Sequence, residues 1–202
     1  MTKLKSFWNQ PYTFWALLSL PAIPIVMGLT SGDPRAIHQM LHPSGEFAAR
    51  FMIITMMITP LVMLFKDARW PRWLMKRRRY LGVAAFSYTA LHTVLYLINE
   101  GADAFTISEI SKLYIWTGWL AFLIFVPLAV TSTDGWVRSL GPRWKALQRF
   151  VYVAAVLTLL HWAALHNWGG IAPAIIHFMP LFLLEAYRGW SILQRRRLRA
   201  TV

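Results

Sequence analysis

The sequence contains no cysteine and few acidic residues, and the missing cysteine excludes whole classes of site. A chain without cysteine has no disulfides, no thiolate metal sites, no iron–sulfur clusters and no covalent c-type haem attachment. There is also no Gly-rich phosphate-binding loop and no internal repeat, and the Gly169-Gly170 pair predicts only a turn.

Apolar residues are abundant and are grouped in long blocks. They make up 57% of the 202 residues, and the mean hydropathy is +0.44. Six blocks are long enough, or nearly so, to cross a bilayer, which takes about 17–25 residues each. The predicted spans are Tyr12–Thr30, Phe47–Phe65, Tyr80–Ile98, Tyr114–Thr131, Phe150–His166 and Ile171–Tyr187. We predict one all-α integral membrane domain over residues 1–202, folded as a six-transmembrane-helix bundle.

The net charge of +13 is distributed unevenly along this arrangement. All basic residues except Arg35, Arg50 and Lys112 fall on one side of a six-span bundle. Basic residues mark the cytoplasmic side of membrane proteins. We therefore predict that both termini are cytoplasmic, that the protein contacts membrane lipid, and that the positive charge does not indicate nucleic-acid binding.

Three histidines lie within the predicted spans: His92 in the third, His161 in the fifth and His177 in the sixth. Ionisable residues inside a membrane are costly and usually functional. His92 lies about 20 Å along its helix from Arg79, and His161 about 18 Å from Arg149. Level imidazoles on two parallel helices are suited to bind a planar metal macrocycle from both sides. We predict that His92 and His161 are the axial ligands of a haem.

The residues around these histidines allow more than one interpretation. Small residues precede each histidine on its own helical face, Ala85 and Thr89 in one case and Ala154 and Thr158 in the other. They leave room for a flat ring, but small residues also serve as helix-packing surfaces in membranes. His177 is predicted to be a substitute ligand, a hydrogen-bond partner or a packed histidine.

The outer end of the predicted bundle contains further polar candidates. Arg50 is placed to pair with a haem propionate, or simply to extend its side chain to the interface. His38 and His42 are expected in the outer loop, where they could contact propionates or a docked partner. Glu185 in the last span is expected to pair with Arg188, one turn further along.

Three stretches carry a resemblance to a known family: HPSGEFAARFMIITMMITPL (residues 42–61), RRYLGVAAFSYTALHTVLYL (78–97) and AVTSTDGWVRSLGPRWKALQRFVYVAAVLTLLHW (129–162). They resemble MsrQ, also called YedZ, the haem-binding membrane subunits of a bacterial methionine-sulfoxide reductase system. MsrQ belongs to the wider ferric-reductase-like transmembrane family. The resemblance covers nearly all of the chain.

This resemblance implies a six-helix bundle with b-type haem in the bacterial inner membrane. Electrons would come from a separate cytosolic flavin reductase or from quinol, and would reach a separate periplasmic oxidoreductase, the methionine-sulfoxide reductase catalytic subunit. His92 and His161 match the family's histidines on the third and fifth spans, and His42 matches a histidine at the outer end of the second. The chain would be an electron-transfer subunit, with no catalytic residue of its own.

The chain departs from the family pattern at the inner end of the fifth span. The family usually has a histidine at the position of Gln148, and this chain has no histidine in its inner half. One haem b is therefore expected, and Gln148 marks either a lost haem or a replaced cofactor. The polar and aromatic residues expected at this end are Arg77, Arg78, Arg79, Trp144, Gln148 and Arg149. They suit FMN, a quinone or a docking donor, whereas lipid phosphates alone would also explain the cations.

Two alternatives to the electron relay remain open. A direct ferric or cupric reductase would bind its metal substrate in an acidic or histidine-lined outer pocket. A haem-free transporter or assembly factor would use the histidines for proton relay or packing.

Overall fold

The structure is a computed structural model that describes residues 10–200, so Lys3 and Lys5 of the predicted cytoplasmic tail lie outside the described residues. Within this range the chain forms helices and no strand. The main helices are α1 (Pro11–Ser19), α2 (Ala22–Leu29), α3 (Ala36–Leu64), α4 (Arg69–Glu100), α5 (Leu113–Val130), α6 (Asp134–Leu140), α7 (Pro142–Gln148), α8 (Val151–Ala163) and α9 (Ile171–Ala200). A 3-10 helix (Gly101–Phe105) and a short helix (Ile107–Ile110) connect α4 to α5.

Five helical segments between residues 10 and 200 are long and apolar enough to cross a membrane. The bent pair formed by α1 and α2 makes a sixth if it counts as one span. The prediction of an all-helical, multi-pass membrane protein is confirmed, and the side on which the termini lie remains a prediction.

The bend between α1 and α2 measures 50° and lies at Leu20 and Pro21. Proline has no backbone N–H and its ring crowds the preceding turn, so a kink is expected there. The hydroxyl of Tyr88 on α4 donates a hydrogen bond to the Leu18 carbonyl oxygen at 3.0 Å. This bond connects the bent pair to the rest of the bundle.

Helix α3 begins at Ala36, well before the predicted start at Phe47. The prediction that His38 and His42 lie in a loop is therefore wrong. The sequence misled because Pro43, Ser44 and Gly45 are residues typical of turns. Tertiary packing overrides that tendency: Ser44 is fully buried, and its hydroxyl donates to the Leu41 carbonyl oxygen at 2.8 Å.

Helix α4 also begins earlier than its apolar block, at Arg69. The basic residues between the second and third predicted spans therefore lie mostly on helical turns, and α9 likewise continues to Ala200, beyond the predicted end of the sixth span at Tyr187. Lysine and arginine are good helix formers, so a helix readily extends beyond the apolar block that ends at the interface.

The core lies where α3, α4, α5, α8 and α9 meet. Met52 and Met56 of α3 pack there with Ala154 and Trp162 of α8 and with Phe178 of α9. The opposite faces of the outer helices expose large apolar side chains, which suits contact with lipid rather than water. Such side chains include Val153, Val156, Ile176, Phe182 and Leu183.

The chain reverses between α8 and α9 in a few residues. His166, Asn167 and Trp168 all have positive φ, at 53°, 54° and 70°. The turn predicted at Asn167-Trp168-Gly169-Gly170 is confirmed, and it brings α9 back beside α8.

Candidate functional site

The structure brings His92 of α4 and His161 of α8 together. Their ring centres are 6.1 Å apart and their ring planes are inclined by 84°. Two imidazoles bound on opposite sides of one metal ion, at about 2.0–2.1 Å each, have ring centres about 6 Å apart. The spacing therefore matches that of two axial ligands.

Both imidazoles are held by backbone carbonyl oxygens of neighbouring helices. His92 Nδ1 lies 3.0 Å from the Leu41 carbonyl oxygen, and His161 Nδ1 lies 2.5 Å from that of Tyr114. A carbonyl oxygen can only accept, so Nδ1 of each ring carries the proton and donates. This leaves the lone pair of each Nε2 free to bind a metal. Histidines that bind a metal commonly donate their other ring N–H to a backbone carbonyl in this way.

Two glycines make these close approaches possible. A Cβ added to Gly45 of α3 would lie 3.0 Å from His92 Nδ1, and one added to Gly118 of α5 would lie 2.8 Å from His161 Nδ1. Each glycine is four residues after the residue whose carbonyl holds the histidine, Leu41 or Tyr114. The same arrangement is therefore built twice, between α3 and α4 and between α5 and α8.

The two rings line a cavity at the end of the bundle predicted to be periplasmic, called the outer cavity below. Its empty volume is about 950 Å³, including the part open to the surroundings. Its lining is mostly apolar and aromatic, with Ala49, Met52, Trp119, Phe122 and Phe125 among the residues. A cavity with apolar walls and two imidazoles whose Nε2 atoms are left to bind a metal fits a planar metal macrocycle. With Nδ1 of each ring bound to a carbonyl oxygen, the two histidines offer the pair of neutral imidazole donors that haem iron accepts as axial ligands.

A polar cluster lies at one side of this cavity. Arg50 donates to the Glu46 carboxylate at 2.5 Å and to His177 Nε2 at 3.2 Å. His177 Nδ1 in turn lies 2.7 Å from the Pro173 carbonyl oxygen. Both nitrogens of His177 are thus occupied, which fits the predicted hydrogen-bonding role better than a ligand role. The guanidinium of Arg50, which was expected to pair with a haem propionate or to extend to the interface, is paired here with the Glu46 carboxylate.

His42 lies on α3 and lines the same cavity. Its ring centre is 6.4 Å from that of Trp162, and the Trp162 ring lies 4.7 Å from that of His177. These three rings connect the cavity edge to the polar cluster.

A second, inner cavity lies at the other end of the bundle, with an empty volume of about 1780 Å³ counted in the same way. Five of the residues predicted for this end line it: Arg78, Arg79, Trp144, Gln148 and Arg149. Arg77 departs from the expectation. Its guanidinium lies 4.0 Å from the Trp73 ring centre and 5.9 Å from that of Phe14, and the residue is buried beside α1 instead.

Several side chains of the inner cavity are fixed by hydrogen bonds. The Trp144 indole donates to the Thr131 carbonyl oxygen at 2.9 Å, and Gln148 Nε2 donates to that of Leu128 at 3.0 Å. Arg79 forms an ion pair with Asp134 at 2.5 Å. Gln148, at the position where a histidine was expected from the resemblance, therefore binds the end of α5.

The last span contributes a further ion pair to this cavity. Arg188 contacts the Glu185 carboxylate at 3.1 Å, as predicted, and also donates to the Tyr152 hydroxyl at 2.6 Å. All three residues line the inner cavity.

Met52 and Phe125 line both cavities. Both side chains are buried, at 1% and 7% exposure. The wall between the two cavities is therefore one layer of side chains thick.

Sequence reasoning missed three residues of the outer cavity: Gly45, Gly118 and Tyr96. The sequence does contain a signal for the glycines. A glycine inside an apolar helix, at the same depth in the bundle as a histidine on another helix, allows the histidine ring to approach closely. The signal for Tyr96 is its position four residues after His92, which places it on the same helical face.

Comparison with known proteins identifies the family of the chain. The model of the family described as "Ferric reductase like transmembrane component" matches residues 44–159. Three curated relatives share the name "Protein-methionine-sulfoxide reductase heme-binding subunit MsrQ". The relative from Azospira oryzae is 34% identical, covering 90% of this chain and 78% of its own length. The relative from Rhizobium meliloti is 33% identical and covers 93% of this chain and 86% of its own length. The relative from Xanthomonas campestris pv. campestris is 38% identical and covers 82% of this chain and 74% of its own length. No solved structure matches the chain.

Proposed function

The chain belongs to the MsrQ family of haem-binding subunits, within the ferric reductase like transmembrane components, and from this membership we propose that it relays electrons across a bacterial inner membrane. The donor is a cytosolic flavin reductase or quinol, and the acceptor is a periplasmic methionine-sulfoxide reductase catalytic subunit. Both termini are cytoplasmic in this proposal. The relatives' name, which pairs haem binding with methionine-sulfoxide reduction, supports it.

One observation carries the proposal: two imidazoles with ring centres 6.1 Å apart, each fixed through Nδ1 by a carbonyl oxygen. His92 and His161 would hold a single haem b. A haem bound there supplies an iron centre that gains and loses one electron. The chain itself fixes both ligands, keeps water away with apolar walls and sets the polarity around the group.

The inner cavity is the proposed site for FMN, a quinone or contact with the donor. Its cations Arg78 and Arg149 suit phosphate or an acidic partner surface, and Trp144 offers an aromatic face. Gln148 is used to hold α5 rather than to bind a metal. This supports the expectation of one haem, and it fits both a lost second haem and one replaced by another cofactor.

The arrangement of the two cavities supports a relay through the bundle. Met52 and Phe125 separate them with buried side chains and no charged residue. A thin apolar wall keeps the two sites close together while it blocks the passage of water and ions.

The direct ferric or cupric reductase is supported less well. The outer cavity does include His42 and Glu46, but Glu46 is already paired with Arg50. Among the described residues there is no group of three or more histidine or acidic side chains that would hold a metal ion. A haem-free transporter would not explain why both histidines have a glycine behind the ring and a carbonyl partner for Nδ1. It would also not explain why the ring centres lie 6.1 Å apart.

The test is a haem titre with a reduced-minus-oxidised spectrum on the purified protein, beside His92→Ala and His161→Ala. We expect one low-spin haem b per chain in the native protein and its loss in both variants. His177→Ala is the matched control, since this histidine lies in the membrane but both of its nitrogens are occupied. It should keep the haem. A colourless native protein expressed with haem available would contradict the proposal.

A further inference from the structure

Tyr96 has a hydroxyl that nothing in the described part of the chain satisfies. The residue lines the outer cavity and lies one helical turn after His92 on α4. Among residues 10–200, its hydroxyl is the only fully buried side-chain nitrogen or oxygen without a hydrogen-bond partner. A buried hydroxyl without a partner is costly, so such an atom calls for an explanation.

The other hydroxyls of the cavity do not share this feature. Thr89 donates to the Ala85 carbonyl oxygen at 2.8 Å, Thr93 to that of Thr89 at 2.9 Å, and Thr158 to that of Ala154 at 2.8 Å. Short side chains reach a carbonyl of their own helix in this way. The phenol of Tyr96 extends beyond its own backbone, so its partner must come from elsewhere.

The protein's own carboxylates near Tyr96 already have partners. The ionisable groups near this hydroxyl are those of Glu100, Glu109, Lys112 and Tyr114. Glu109 is paired with Lys112, and Glu100 accepts a hydrogen bond from Asn99 at 2.7 Å. Neither carboxylate forms a hydrogen bond with the Tyr96 hydroxyl, which is therefore free to donate to an acceptor inside the cavity.

We propose that the Tyr96 hydroxyl donates a hydrogen bond to a carboxylate at the edge of the haem held by His92 and His161. This inference rests on the proposed function, because it requires haem in the outer cavity. Tyr96 lies about 6 Å further along the helix than His92, on the side away from the apolar wall formed by Met52 and Phe125. The proposal therefore requires a haem whose carboxylate edge would lie on the Tyr96 side of the outer cavity, away from the inner cavity. A hydrogen bond from a neutral hydroxyl to an ionised carboxylate is among the stronger ones.

The experiment compares haem release from the native protein and from Tyr96→Phe. Each purified protein is loaded with haem b, or with the haem dimethyl ester in which both carboxylates are blocked, and released haem is captured by excess apomyoglobin. Tyr88→Phe is the matched control on the same helix, since its buried hydroxyl donates to Leu18 outside the cavity. The readout is the release rate and needs no electron-transfer activity.

We expect Tyr96→Phe to release haem b about tenfold faster than the native protein, the size of one hydrogen bond to a charged group. With the dimethyl ester the two proteins should release at nearly equal rates, and Tyr88→Phe should match the native protein with both ligands. Equal release of haem b, or an acceleration that persists undiminished with the ester, would overturn the inference and leave the proposed function intact. A native protein that takes up no haem would overturn both.

Discussion

The two cavities lie at opposite ends of the same helical bundle and differ in volume, polarity and charge. The outer cavity is apolar and bounded by two imidazoles fixed to backbone carbonyls, whereas the inner cavity is larger and lined by cations, a tryptophan and two ion pairs. The outer cavity suits a group held by metal–nitrogen bonds between apolar walls. The inner cavity, with its arginines, suits a negatively charged group.

The difference follows from what each set of helices supplies. In the outer half, two helix pairs each offer a histidine, a glycine and a carbonyl oxygen in the same relation. In the inner half no histidine is present, and Gln148 and Trp144 bind the end of α5 instead. Two cavities separated only by Met52 and Phe125 can therefore hold chemically unlike occupants.

The largest expected effect comes from filling the space behind the ligand histidines. We expect Gly118→Ala to lower haem content severely, because the added methyl would lie 2.8 Å from His161 Nδ1 and would displace the ring. Gly45→Ala should have a smaller effect, since its contact with His92 would be 3.0 Å. Pyridine haemochrome analysis per mole of purified protein measures both.

Gly82→Ala is the control for these variants, since a Cβ there would meet only Thr55, at 3.9 Å. It lines the inner cavity and should leave the haem content unchanged. Full haem loading in Gly118→Ala would show that the close approach of His161 to Gly118 is not required for haem binding.

A smaller effect is expected from removing positive charge at the inner cavity. Arg149→Gln and Arg78→Gln should each weaken binding of an anionic cofactor or donor about tenfold, since charge-assisted hydrogen bonds are lost. Haem content should not change, because both side chains line only the inner cavity. Titration of FMN, monitored by fluorescence, and reduction by a flavin reductase are the measurements.

Arg138→Gln removes the same charge from the same end but outside the inner cavity, and serves as the control. If it weakens FMN binding as much as Arg149→Gln, the effect is one of overall charge and the inner cavity is not the site.

The smallest effect is expected from Gln148→Met. This change removes the hydrogen bond from Gln148 Nε2 to the Leu128 carbonyl oxygen at 3.0 Å. A single hydrogen bond of this kind contributes about 1 kcal/mol to the free energy of unfolding. A thermal shift of a few degrees with an unchanged haem spectrum is expected. A changed Soret band would mean that the inner end also affects the ligand histidines.

Much of the bundle could be predicted because hydropathy is a local property. The long apolar blocks, the turn at Gly169-Gly170 and the bend at Pro21 all follow from residues close in sequence. The start of α3 could not be predicted in this way. Its first turns contain Pro43 and Gly45, and burial of Ser44 keeps them helical.

The candidate site shows the same limit. The two histidines were found because their depths match along parallel helices, and depth is fixed by counting residues. Arg77 was grouped with Arg78 and Arg79 because the three are adjacent in sequence. Successive residues on a helix point about 100° apart, and the packing of α4 against α1 turns Arg77 toward Phe14 and away from the inner cavity.

The sequence by itself determined the membrane class, the approximate spans, the exclusion of cysteine chemistry and the level of His92 and His161. Only the tertiary structure decided which groups face each histidine, which cations share the inner cavity, and that Tyr96 presents an unsatisfied hydroxyl to the outer one. The physical reason is that composition and helical period set the depth of a residue in the bundle. The rotation and close approach of helices distant in sequence set its partners.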